Sequence, residues 1–248
     1  MGIIYSGMSD IGRKRKTNQD AIYMSESVGF FLVADGMGGH NGGDIASQMA
    51  VTIAPEFFKA NMHRLDDPQI LVDCFRYINE SIYKKSASQA ELQGMGTTLV
   101  CLYFSNAHLY VANVGDSRAY LISQGNLYQL TRDHSLIQEK MNLGIYSRQE
   151  AQADRQKNVL VRTIGFEENV EVDVFNYKLN QYDLMFICSD GLHGKVSDRD
   201  IHYLITANLT SPEQYTQKNL DKIVQSLVHQ ANENGGQDNI SVILVAVV

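Results

Sequence analysis

The chain has no tryptophan, three prolines and three cysteines in 248 residues. With so little proline, and no stretch rich in Pro, Gly and Ser together, no linker divides the sequence, and residues 1–248 read as a single domain. Cys74, Cys101 and Cys188 are odd in number, far apart and each set in an apolar run. Disulfide frameworks and zinc cages need cysteines in pairs at short spacing, so these three are expected as buried free thiols in a reducing compartment. No run approaches the roughly 18 apolar residues that span a bilayer. The opening MGIIYSGMSDIG has no basic flank ahead of a long apolar core, so no secretory signal is expected. The expected location is cytoplasmic, with no membrane partner.

Positive charge is scarce as well. The net charge is −7, and Arg13-Lys14-Arg15-Lys16 is the one basic cluster. On an acidic chain it reads as a solvated turn rather than a nucleic-acid contact, and no nucleic-acid partner is expected. Several catalytic patterns are missing. No Cys is followed six positions later by Arg, which removes the cysteine-nucleophile phosphatase loop. The string Gly-Met-Gly-Gly-His-Asn-Gly-Gly at 36–43 lacks both the Lys of a P-loop and the spacing of a dinucleotide fingerprint. No HExxH, CxxC or Gly-x-Ser-x-Gly occurs, so zinc hydrolysis and serine-triad chemistry fall away.

What is present is a core: 44% of the residues are apolar. Segments 20–34 and 98–122 are rich in Val, Ile, Tyr, Phe and Leu and broken by turn signals, so they predict strands and hairpins. Phe30–Ala34, Leu184–Cys188 and Ile240–Val248 are near-continuously apolar, as strands covered on both faces must be. Helical spacing appears at Leu71, Cys74, Phe75, Ile78 and Ile82, and again from Leu220 to Ala231. Ser197, with Asp200 three residues on, starts another helix. A fourth is expected after Gly43, with Ile45, Met49 and Ile53 on one face. This grouping is not the alternation of a doubly wound sheet. It predicts an α+β layering, with packed sheets inside and helices outside.

Five acids mark the ends of five apolar segments. Asp35 terminates Phe-Phe-Leu-Val-Ala, Asp190 follows Leu-Met-Phe-Ile-Cys-Ser, and Asp238 stands just ahead of the run that begins at Ile240. Asp116 follows Leu-Tyr-Val-Ala-Asn-Val-Gly, and Asp20 precedes Ala-Ile-Tyr-Met. Taken singly, Asp35-Gly36 and Asp190-Gly191 are ordinary turn pairs. Taken together, the acids would repel and raise one another's pKa at one sheet rim unless a cation neutralised them. Hard cations that take oxygen ligands, Mg²⁺ or Mn²⁺, suit such a set.

In order, the pieces are Arg15-Lys-Thr-Asn-Gln-Asp20, Asp35-Gly-Met-Gly-Gly-His40, Gly96-Thr-Thr, Gly115-Asp-Ser-Arg118, Thr131-Arg-Asp-His-Ser135, Ser189-Asp-Gly-Leu192 and Gly236-Gln-Asp-Asn-Ile-Ser241. This series, spread over nearly the whole chain, resembles the bacterial branch of the metal-dependent protein phosphatase 2C family. The resemblance implies a four-layer α-β-β-α sandwich, two central antiparallel sheets flanked by helices. It implies two metal ions at one edge and a third, weaker site. Asp35 would bridge both ions, joined by the Gly36 carbonyl; Asp190 and Asp238 would complete the first site, with Asp20 reached through water. Asp116 and Asp190 would hold the third ion. Arg15 resembles the family's phosphate-binding arginine, a role that suits a guanidinium fork. Residues 141–165 resemble the flap beside the active site.

The reaction so implied is hydrolysis of phosphoserine or phosphothreonine on proteins by a metal-bridged hydroxide. The substrates would be proteins modified by a serine/threonine kinase, and a monomer is expected. Part of the family carries His directly after Asp-Gly, where this chain has Met37, so the general acid assigned there does not carry over. His40 is the candidate, with metal-bound water as the alternative. Two other functions fit less of the sequence. A catalytically inactive docking module would have lost a metal acid or Arg15, and a Mg²⁺-dependent phosphodiesterase would carry a basic groove.

Overall fold

The computed structural model of the chain describes residues 2–38, 42–147, 150–151, 154, 156 and 158–248. Two antiparallel sheets form its centre. The first contains β2 (Asp20–Ser25), β3 (Phe30–Met37), β5 (Leu99–Ser105), β6 (His108–Val114) and β9 (Asp173–Lys178) in that order, with the short β4 (Gly96–Thr97) paired to β3. The second has the order β1 (Ile3–Asp10), β11 (Ile240–Val247), β10 (Leu184–Cys188), β7 (Arg118–Ser123), β8 (Asn126–Gln129). Outside the first sheet lie α1 (Gly43–Ala60) and α2 (Gln69–Ser88). Outside the second lie α4 (Asp190–His193), α5 (Asp198–Thr206) and α6 (Gln217–Glu233), while α3 (Leu136–Asn142) follows β8. This is the four-layer α-β-β-α arrangement expected.

Strand alternation makes the layers. In β3, Phe30, Leu32 and Ala34 face α1 and α2, while Phe31 and Val33 face the other sheet. In β11, Ile240, Val242, Leu244 and Ala246 face α5 and α6, while Ile243, Val245 and Val247 face inward. Successive side chains of a strand point to opposite faces, so a central strand between two covered faces must be apolar at every position. That is the physical content of the runs at 30–34, 184–188 and 240–247, which Ser241 alone interrupts, its hydroxyl bonded to that of Ser9. Each fully buried Leu, Ile or Phe contributes roughly 1.5–3 kcal/mol of transfer free energy, which makes these three strands the strongest fixed points of the fold.

The helices formed where the periodicity placed them. In α1 the buried row is Ala46, Ala50, Ala54 and Phe58, while Ile45, Met49 and Ile53 are only partly buried at its shoulder. The reason is close approach. A β-carbon on Gly36 of β3 would stand 1.9 Å from the carbonyl oxygen of Gly43, so the start of α1 lies backbone to backbone on the strand and only small side chains fit beneath it. Ser197 caps α5 as expected, accepting from the Asp200 N–H. All three cysteines are buried and free.

Candidate active site

The topology brings the acids together. Asp20 opens β2 and stands directly opposite Asp35 near the end of β3, its antiparallel partner. β6 runs parallel to β3, both being antiparallel to β5, so Gly115–Asp116 leaves the sheet at that same edge. In the other sheet β10 ends where β11 begins, with Cys188 opposite Val242, which places Asp190 and Asp238 at one edge. Ser189 joins the two edges. Its hydroxyl donates to Asp20 Oδ2 at 2.8 Å and accepts from the Ser241 N–H at 3.0 Å.

Hydrogen bonds from neighbouring segments hold the stretches that carry Asp35, Asp20 and Asp238. The Asp35 carbonyl accepts from the Thr98 N–H at 2.8 Å and from the Thr97 hydroxyl at 2.9 Å. Asn239, almost wholly buried, accepts from the Gln19 N–H at 2.8 Å and donates to the carbonyls of Ile11 and Thr17, each at 3.0 Å. One amide thus fixes the loop that carries Arg15 and Asp20 against the residue that follows Asp238. At Gly191 a β-carbon would stand 1.8 Å from the Asn239 carbonyl oxygen, so only glycine lets these two turns meet. The sequence reading missed Asn239. Its one signal was its place in the Gly236–Ser241 motif.

The electrostatics of the rim are those of an unneutralised acid cluster. Loss of water pushes Asp20 up to about 7, against hydrogen bonds from Ser241 and Ser189, with Asp190 and Asp238 adding to the rise. Asp35 is raised well above the carboxylate range by the same loss of water and then by Asp20, Asp190, Asp116 and Asp238. Asp116 is pushed up to about 8, by removal from water and then by Asp190 and Asp133. Asp20 Oδ1 is buried with no hydrogen-bond partner among the described residues. An unsatisfied buried acceptor costs about 1–3 kcal/mol, so this oxygen is a donor atom waiting for a ligand.

The donor set is carboxylate and carbonyl oxygen alone, which suits a hard divalent cation. The raised pKa values and the orphaned Asp20 oxygen agree with that fit. Among the described residues no three Asp, Glu, His or Cys side chains close round one point as a finished cage; the acids share a rim and a field. Arg15 supplies a cation here, donating from Nη2 to Asp238 Oδ2 at 2.7 Å. Its neighbour Arg13 makes only a 3.9 Å pair with Glu233, both side chains well exposed. Arg15, Asp20, Asp35, Gly36, Asp116, Asp190 and Asp238 therefore meet at one rim. His40, the candidate general acid, lies outside the described residues.

Two histidines that the sequence reading left out of the site grip the Gly115–Asp116 turn. His134 Nδ1 accepts from the Gly115 N–H at 3.1 Å, which puts its proton on Nε2, 3.2 Å from Asp173 Oδ2. His193 Nε2 donates to the Asp116 carbonyl at 3.0 Å, and burial holds this ring far down, to about 3, with the Arg118 charge adding to the effect. Both are neutral, and each carries its proton on Nε2. Arg118 in turn binds Asp133 through Nε and Nη2 at 2.7–3.2 Å. Two of the seven motifs, Gly115–Arg118 and Thr131–Ser135, are thus locked to each other.

Comparison with known proteins gives one family. The profile described as Protein phosphatase 2C matches residues 9–241. The serine/threonine phosphatase stp of Listeria monocytogenes is 36% identical over 243 residues, 96% of this chain and 93% of that protein. Among solved structures, the serine/threonine phosphatase Stp1 of Staphylococcus aureus superposes with a TM-score of 0.88 at 30% identity, over 100% of this chain and 96% of that one. The catalytic domain of the serine/threonine protein phosphatase PstP, in complex with two manganese ions, superposes with a TM-score of 0.83 at 29% identity over 99% of both chains.

Proposed function

This chain belongs to the protein phosphatase 2C family, and we propose that its rim of five aspartates is the metal centre at which it removes phosphate from serine and threonine side chains of proteins. It is a metal-dependent protein-serine/threonine phosphatase. Asp35, with the Gly36 carbonyl, would hold two ions, with Asp190 and Asp238 on the first of them and Asp20 contributing through water. Asp116 and Asp190 would hold a third. The observation that carries the assignment is Asp20: a buried carboxylate with one orphaned oxygen, directly across the ladder from Asp35.

Bound there, divalent ions supply Lewis acidity toward phosphoryl oxygens and lower the pKa of water at the rim. The chain's own groups do the rest. Arg15 spends one N–H on Asp238, and its remaining donors are available for two phosphate oxygens, a bidentate match that a lysine cannot make. Asp238 thereby orients the guanidinium. His134 and His193 hold the turn that presents Asp116. His40 remains our candidate for protonating the departing alkoxide.

Residues 141–165, of which 148–149, 152–153, 155 and 157 lie outside the described residues, would be a flap on a single catalytic domain. It is supported by the strand bridges Ser135–Leu160 and Thr97–Ile164, which close the base of that excursion. The partners would be proteins phosphorylated by a serine/threonine kinase, met by a monomer in the cytoplasm. The three free cysteines suit a reducing compartment, and among the described residues no helix is long and apolar enough to cross a membrane. An inactive docking module and a phosphodiesterase are not favoured, since the sequence keeps Arg15, Asp35, Asp190 and Asp238 and carries a net charge of −7. The test is phosphate release from a phosphothreonine peptide. Turnover is expected with Mn²⁺ and none with EDTA; turnover that persists in EDTA would contradict the assignment.

A further inference from the structure

Beside the acid rim lies a cavity of about 570 Å³ that the chemistry above does not use. One wall is Met37, two residues beyond Asp35 on β3. Residues i and i+2 of a strand share a face about 6.6 Å apart, so the cavity opens on the face that carries the Asp35 carboxylate. The opposite wall is the segment from Leu160 to Glu171, with Phe166 and Val161 at the surface, 58% and 45% exposed.

That wall is built in advance. Thr97 and Ile164 exchange backbone hydrogen bonds at 3.0 and 2.9 Å. The buried Asn79 of α2 donates to the carbonyls of Glu167 and Glu168, both at 3.0 Å, and accepts from the Gly165 N–H at 2.7 Å. A pocket held open by satisfied buried hydrogen bonds loses little ordering entropy when a ligand enters.

Its chemistry selects the occupant. Arg162 is spent on Asp173 and Glu171 at 2.7 and 2.9 Å. Arg76 and Glu167, the other charges on the lining, are one of each sign. A lining that includes the apolar Met37, Val161, Phe166 and Val170 together with charges of mixed sign suits an apolar side chain flanked by peptide groups, and it does not suit a small anion. We propose that this cavity is the subsite for a large apolar side chain of the phosphoprotein substrate, two or three residues from the phosphorylated serine or threonine. The inference rests on the phosphatase reading, and the spacing follows from about 3.3 Å per extended residue.

The experiment is steady-state kinetics on phosphothreonine peptides in which a single leucine is walked from three residues before to three residues after the phosphothreonine in a glycine-serine background. p-Nitrophenyl phosphate serves as the substrate without flanks. The wild-type protein with Mn²⁺ should favour leucine at one or two positions by about tenfold or more in kcat/KM. Phe166→Ala and Val161→Asn, at exposed sites where folding is not at stake, should flatten that preference through KM and leave p-nitrophenyl phosphate unchanged. A wild type with no positional preference overturns the subsite, and so does a preference that survives both variants or a loss shared by all substrates. Failure of the wild type to hydrolyse p-nitrophenyl phosphate with Mn²⁺ would instead defeat the phosphatase reading and the subsite with it.

Discussion

Single residues divide into those whose chemistry was written in the sequence and those whose role came from a contact. Arg15 belongs to both. As one of four basic residues it reads as a solvated turn, and only the motif singled it out. In the structure it alone of the four reaches an acid of the rim, Asp238. Charge-assisted hydrogen bonds are worth about 1.5–3 kcal/mol, so Arg15→Ala should lose roughly ten- to a hundredfold in kcat/KM toward phosphopeptide, mainly in KM. Arg15→Lys should recover part of it, and Lys14→Ala should be near wild type. Equal small losses at both positions would return the run to a plain solvated turn.

Among elements, the apolar strands were legible because burial on both faces leaves a continuous run that nothing else in the sequence imitates. β9 was not, since Asp173–Lys178 is an edge strand whose exposure alternates and whose apolar residues never adjoin a second run. In α1 the close approach of Gly36 and Gly43 puts small side chains, Ala46 and Ala50, deepest at its start, while Ile45, Met49 and Ile53 share the face beside them. The Gly115–Asp116 turn was beyond sequence reasoning, because His134 and His193 come to it from 19 and 77 residues away.

That turn carries a pH prediction. Burial holds His134 below the usual histidine range, with the Arg162 charge also lowering it and Asp173 pulling the other way. A histidine depressed in the folded state takes up its proton first in the unfolded chain, so its contribution is intact above about pH 6.5 and is lost as pH falls below that. His134→Asn keeps an acceptor for the Gly115 N–H and cannot titrate. The gap in urea midpoint between wild type and His134→Asn should therefore narrow from pH 7.5 to pH 5. A gap that stays constant would show that His134 is not held neutral.

For the whole molecule, the site is a property of two sheets packed face to face, with one edge of each meeting at the rim. Asp20, Asp35 and Asp116 come from one sheet and Asp190 and Asp238 from the other, with three apolar layers fixing their register. The acids repel across that junction until a cation neutralises them, which makes metal binding the event the architecture is arranged around. Calorimetric titration of Mn²⁺ into the wild-type protein and Asp35→Asn tests this most directly. The account predicts at least two ions per chain in the wild type and, in the variant, an unchanged circular dichroism spectrum with affinity lowered by more than about a hundredfold. A folded Asp35→Asn protein that takes up the same number of ions with the same affinity would contradict it.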